Sequence, residues 1–197
     1  MEALEALLTR RSTRRFRPDA VEDEKLDLIL RAAVQAPSGG NNQTSHFLVI
    51  RSKEIKDRLA SMAEKAFAAM EPDENTYSSL RNAINASKRG GYVFHYNAPV
   101  LILVANRHDY SNNIADCACT LENMMIAANA LDLGSCWVNQ LKWLNEDADI
   151  NAYLSSLGLK EGERVYGGVV IGYPDTEDGM PNRQPTPRKG NEITFAD

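Results

Sequence analysis

Between positions 10 and 17 the chain reads Arg-Arg-Ser-Thr-Arg-Arg-Phe-Arg, five arginines in eight residues. A guanidinium is planar, keeps its charge and donates in pairs, which suits the oxygens of a phosphate. Ser12, set between arginines, adds a hydroxyl donor. The chemistry this cluster offers is phosphate binding. A solvated basic turn has the same composition, and a basic arm on nucleic acid is a third reading. No aromatic platform or second basic stripe supports that third one. A second constellation is Ala36-Pro-Ser-Gly-Gly-Asn-Asn-Gln43. Its small residues let a backbone approach a ligand closely, and Asn41, Asn42 and Gln43 carry amides that donate and accept. A plain helix-to-strand loop looks much the same.

Other chemistries leave no trace. Neither a Gly-x-Gly-x-x-Gly fingerprint nor a P-loop occurs. The glycines of Gly167-Gly168-Val-Val-Ile-Gly172 fall inside an apparent strand, with no helix behind them to receive an anion. Cys117, Cys119 and Cys136 are an odd, sparse set, which suits a reducing compartment and no disulfide framework. His46, His95 and His108 stand singly, so no metal is expected. His46 opens a strand without a carboxylate near it in sequence and receives no role. No acid/base pair stands out.

The elements that must hold these residues follow from periodicity. Leu4, Leu7 and Leu8 predict a short helix ending near Arg11, and a second helix spans about Glu22 to Ala36, stopped by Pro37. A strand over His46–Arg51 comes next, then helices over Lys53–Met70 and Tyr77–Lys88. Pro99 opens a buried strand, Val100–Ala105. The longest helix runs from about Asn112 to Leu133, with Gly134 at the position past its end. Its second half is apolar on nearly every side apart from Asn129, so it must be covered all round, by the core or by another subunit. A helix over Glu146–Leu157 and a strand over Arg164–Ile171 follow. The last 25 residues hold Pro174, Pro181, Pro185 and Pro187 and show no helical period; Ile193–Phe195 is expected to form a short terminal strand.

These elements make one α+β domain with a central sheet. At 197 residues the chain can bury about 70% of its unfolded surface, enough to fold without staples. Hydrophobic residues at 43% and charged ones at 25% are globular values, which excludes a wholly disordered chain. The net charge of −5 disfavours nucleic acid and anionic membranes as partners. No apolar run approaches a membrane span, and the start lacks the marks of a secretory signal, so the cytoplasm is the expected location.

Taken in order, Arg10-Arg-Ser-Thr-Arg14, Ala36-Pro-Ser-x-x-Asn-x-Gln43, Ala98-Pro99 before an apolar strand, Gly134-Ser-Cys-Trp137 after a long helix, and Gly172-Tyr-Pro174 before a proline-rich tail resemble the nitroreductase family of flavoproteins. The resemblance implies an α+β fold with a central, mostly antiparallel sheet flanked by helices, in an intertwined homodimer. Residues 1–197 would form a single FMN-binding domain, with 173–197 a tail wrapping on the partner. Arg10, Ser12 and Arg14 match the family's positions on the FMN phosphate and ribityl chain, with Arg11 beside them. Pro37, Ser38, Gly39, Asn41 and Gln43 match the loop that the other subunit lays against the flavin. Ser135, Cys136 and Trp137 match the segment near the isoalloxazine ring, and Arg188, with Lys189 next to it, the tail's basic residue on the phosphate.

The implied activity passes two electrons from NADH or NADPH through flavin N5 to a small organic acceptor, nitroaromatic or quinone-like, by ping-pong turnover. No protein side chain need act as the catalytic group, because the cofactor carries the chemistry. A flavin reductase, an enone or halogenated-aromatic reductase, and a non-catalytic FMN-binding module are the alternatives. Many family members read Gln-Pro-Trp where this chain has Gln43-Thr44-Ser45, so an aromatic is missing beside the loop. Any lid falls within Met70–Gly91, where Lys88 and Arg89 are either solvated or aimed at a nicotinamide phosphate.

Overall fold

Short apolar runs separated by helices must bury their strands together, and here they do so in one sheet. The computed structural model describes residues 1–184 and 186–196. In chain order the elements are α1 (Ala3–Thr9), α2 (Asp23–Val34), β1 (His46–Ile50), α3 (Lys53–Ala68), α4 (Ser78–Arg89), β2 (Val100–Arg107), α5 (Asn113–Ala130), β3 (Gly134–Val138), α6 (Gln140–Trp143), α7 (Ala148–Ser156) and β4 (Glu163–Gly172). The sheet order is β1-β2-β4-β3, with each neighbouring pair antiparallel.

β2 is central and covered on both faces, which is why it reads as a continuous apolar run. Alternate residues serve opposite layers. Leu101, Leu103 and Ala105 pack with Leu59, Phe67 and Leu154 from α3 and α7. Val100, Ile102 and Val104 pack with Ile29 of α2 and with Leu121 and Met124 of α5. No residue of α5 from Leu121 onward is exposed, in keeping with its all-round apolar sequence. The one polar residue of its Met124–Ala130 stretch, Asn129, donates to Ala6 O and Thr9 Oγ1 and accepts from Arg183.

Three local expectations change. α5 stops at Ala130, not Leu133, because Asp132 takes the left-handed turn (φ 62°) and Leu133 N closes back on Ala128 O. Gly134 is therefore no helix cap; it opens β3, a strand the apolar pattern did not announce. Ile193–Phe195 forms no strand, and Ile193 and Phe195 are 76% and 86% exposed. A strand needs an edge to pair with, and the chain's own edges take none of these residues. Pro185 and Asp197 lie outside the described residues. Among the described residues no helix is long and apolar enough to cross a membrane.

Candidate functional site

The arginine-rich segment leaves α1 as an extended arm tied to two neighbours. Thr13 N donates to Ser135 O (2.8 Å), Arg17 N to Tyr173 O (2.9 Å), and Asp175 N to Arg15 O (3.0 Å). The arm thus lies along the start of β3 and the beginning of the tail. Gly134 permits this, since a Cβ there would sit 2.6 Å from Thr13 Oγ1. Tyr173 is itself clamped: Lys25 Nζ donates to its hydroxyl (2.7 Å), and that hydroxyl donates to Glu22.

In extended chain alternate side chains share a side, and Ser12 bridges to Ser135 at the start of β3, next to Cys136. Burial pushes the Cys136 thiol's pKa up, while Arg14, the Ser12 hydroxyl and Arg10 pull the other way; the thiol itself donates to Trp137 O (3.5 Å). The structure therefore brings Arg10, Ser12, Arg14, Ser135 and Cys136 together. Arg10 also lies 3.8 Å from Glu122. Arg14 is exposed and has no ion pair among the described residues. Arg11 points elsewhere and donates to Gln184 O (2.6 Å), fastening the tail to the cluster. Arg188 and Lys189, four and five residues further along the tail, are exposed and make no hydrogen bond or ion pair among the described residues. Trp137 is half-buried and donates through Nε1 to Asn139 Oδ1 (2.7 Å).

The Pro37–Gln43 loop is folded on itself. Gly40, Asn41 and Gln43 have φ of 58°, 55° and 53°, and Ser38 Oγ accepts from Gln43 N (3.0 Å). Left-handed backbone at Asn41 and Gln43 is costly for residues with a Cβ and persists only where surroundings enforce it. Enforcement comes from the segment entering α5. Gly39 N donates to Asp116 Oδ1 (3.0 Å), and the Tyr110 hydroxyl donates to Gly39 O (3.1 Å). Beside the loop, Ser45 lines a cavity of about 130 Å³ with Pro37, Ser38, Phe47 and Thr120.

Cluster and loop do not meet within one chain. Ser135 pairs with Ile171 at the Val100 end of the sheet, whereas His46, following the loop, pairs with Ala105 at the other end. Strand geometry separates them by about 17 Å along the strands and about 14 Å across three strand spacings. They occupy opposite corners.

Several residues had no signal in the sequence. His46 Nδ1 meets Glu163 Oε2 at 2.7 Å, so its carboxylate partner exists but lies 117 residues away. Asp116 reads as an ordinary acid in a helix's first turn, and Thr13 as filler between arginines. In the Met70–Gly91 stretch Lys88 is paired with Glu71 (2.6 Å), while Trp143 packs edge-on against Phe67 and Tyr77. A cleft of about 670 Å³ between α3 and α7 contains none of the expected site residues.

The profile of the Nitroreductase family matches residues 7–173. A nitroreductase from Bacteroides fragilis, solved with bound FMN, superposes with a TM-score of 0.84 at 34% identity, and both chains are covered in full. A second, from Desulfitobacterium hafniense and also with bound FMN, gives 0.80 at 25% identity, again over 100% of both chains. An Archaeoglobus fulgidus protein provisionally named as an NADH dehydrogenase/NAD(P)H nitroreductase is 30% identical over 182 residues, 89% of this chain and 87% of its own.

Proposed function

The chain belongs to the nitroreductase family, and on that footing we propose that it is an FMN-dependent oxidoreductase, moving two electrons from NADH or NADPH to a small organic acceptor of the nitroaromatic or quinone type. The observation that carries the reading is the set of donors gathered at the start of β3. The arm bearing Arg10, Ser12 and Arg14 is bonded there through Ser12 and Thr13 to Ser135, and Arg14 is unspent among the described residues. That is the donor set of one terminal phosphate, without the glycine fingerprint of a dinucleotide site.

When bound, the cofactor supplies two-electron transfer through its N5. The protein supplies the rest. Arg10, Ser12 and Arg14 would hold the phosphate end, and Arg188 or Lys189 would add charge from the tail. Ser135, Cys136 and Trp137 would flank the ring. The Pro37–Gln43 loop, at the far corner of its own sheet, would serve the cofactor of a second copy.

A homodimer follows from that separation. α1 exposes Leu4, Leu7 and Leu8, α2 exposes Leu28 and Val34, and α5 exposes Ile114. Ile193 and Phe195 extend from a tail that would wrap on the partner. The three free cysteines, two of them buried, fit a reducing compartment such as the cytoplasm. Nicotinamide and acceptor would use one open face in turn, because each must come within about 3–3.5 Å to react. Double-reciprocal plots should then be parallel.

The test is anaerobic titration of the purified protein with NADH and NADPH, followed by mass analysis of the released cofactor. A yellow protein that bleaches and yields FMN is expected. A flavin that neither nicotinamide reduces would make this a binding module, and a colourless protein indifferent to added FMN would end the proposal.

A further inference from the structure

We propose that Asp116 and Tyr110 are positioning residues for the flavin-facing loop, a clamp on both sides of Gly39 that presets the site before any cofactor arrives; this rests on the functional reading above. Three observations support it. First, both polar groups of Gly39 are taken by side chains from the entry to α5: its N–H by Asp116 Oδ1 at 3.0 Å, its carbonyl by the Tyr110 hydroxyl at 3.1 Å. The same hydroxyl accepts from Asn42 Nδ2 at 3.3 Å, so one phenol holds the loop at two points.

Second, the fit leaves no slack. A Cβ on Gly39 would lie 2.1 Å from Asn112 Nδ2 and 2.6 Å from the Tyr110 hydroxyl. A side chain on Gly39 would force Asn112 and the Tyr110 hydroxyl to move. Third, Asp116 is unusual for a residue with a purely local task. It is 4% exposed, and its Oδ2 is buried with no hydrogen-bond partner among the described residues. A carboxylate taken out of water for a single backbone donor is expensive. Its position in the first turn of α5 offsets part of that cost through the helix's N-terminal partial charge. What the arrangement gains is a charge-assisted bond to one amide, stronger and more directional than a neutral one.

The consequence is preorganisation. Asn41 and Gln43 are held in left-handed backbone, and such strain survives only while the surroundings impose it. Without the clamp the loop would relax, and the ordering would then be charged against cofactor binding.

The experiment compares wild type with Asp116→Ala, Asp116→Asn and Tyr110→Phe, each checked by circular dichroism and light scattering. Hydrogen exchange at the Gly39 amide is read in the flavin-free protein, and FMN affinity by fluorescence titration of that same apoprotein. Exchange should accelerate at least tenfold in Asp116→Ala and FMN affinity fall about 10- to 100-fold. Asp116→Asn, which keeps an acceptor oxygen, should recover most of both. Tyr110→Phe should weaken FMN about three- to tenfold. Faster Gly39 exchange with unchanged FMN affinity would reduce the clamp to ordinary packing and overturn the proposal. Wild-type apoprotein that fails to bind FMN would overturn the functional reading and the clamp's role with it.

Discussion

Arg14 is the residue on which the phosphate site can be judged most simply, because among the described residues no carboxylate competes for it. Hydrogen bonds to charged groups are worth roughly 1.5–3 kcal/mol. Arg14→Ala should therefore weaken FMN about 10- to 150-fold while the apo fold survives; unchanged affinity in a titration would move the phosphate elsewhere. Arg11→Ala should act differently, loosening the tail at Gln184 with a smaller effect on FMN. A second single-residue effect concerns pH. His95 is 1% exposed, and burial, with Lys56 adding to it, drives its pKa down to about 4 from an ordinary 6.5. Below pH 6.5 the unfolded chain takes up a proton that the native chain refuses. Stability is thus full above that pH and declines as pH falls toward 4, by up to about 3 kcal/mol. Urea denaturation from pH 7.5 to 4.5 should show this slope, and His95→Leu should flatten it. An unaltered slope in the variant would assign the loss to other groups.

At the scale of elements, the joint between arm and sheet is the most demanding contact. Gly134→Ala would drive a methyl into Thr13, and the arm must then move. FMN affinity should fall at least tenfold, and a Thr13→Gly second change should restore much of it; failure of that rescue would show that the glycine serves β3 and not the arm. What the sequence revealed of these elements follows from physics. β2 was legible because burial on both faces writes an uninterrupted apolar run, and the second half of α5 because Met124–Ala130 is apolar but for Asn129. Arg10, Ser12 and Arg14 were legible because charge crowding is local in sequence. β3 was hidden, since five residues with Trp137 and Ser135 among them carry no period, and Gly134 resembled a helix stop. The partnership of His46 with Glu163, and of Asp116 with Gly39, depends on chain segments 117 and 77 residues apart, which no local pattern encodes. Ile193–Phe195 has the composition of a strand, but among the described residues no strand of the sheet pairs with it.

For the whole molecule, the proposed site joins the arginine cluster and the Pro37–Gln43 loop, which stand at opposite corners of one sheet. Obligate interfaces commonly bury more than about 2,000 Å², and light scattering at micromolar concentration should report a dimer. A stable flavin-loaded monomer would be incompatible with the arrangement. The most direct measurement is subunit complementation. One chain carries Arg10→Ala with Arg14→Ala, the other Gly39→Val, and differently tagged copies are co-expressed so that mixed dimers can be isolated. In a mixed dimer one site inherits both defects and the other neither. Each parent homodimer should hold little FMN, while the mixed dimer should hold one flavin per two chains, bleached by a reduced nicotinamide at the wild-type rate. Mixed dimers that bind no more reducible flavin than the average of the two parents would place cluster and loop in the same site of one chain, and contradict that arrangement.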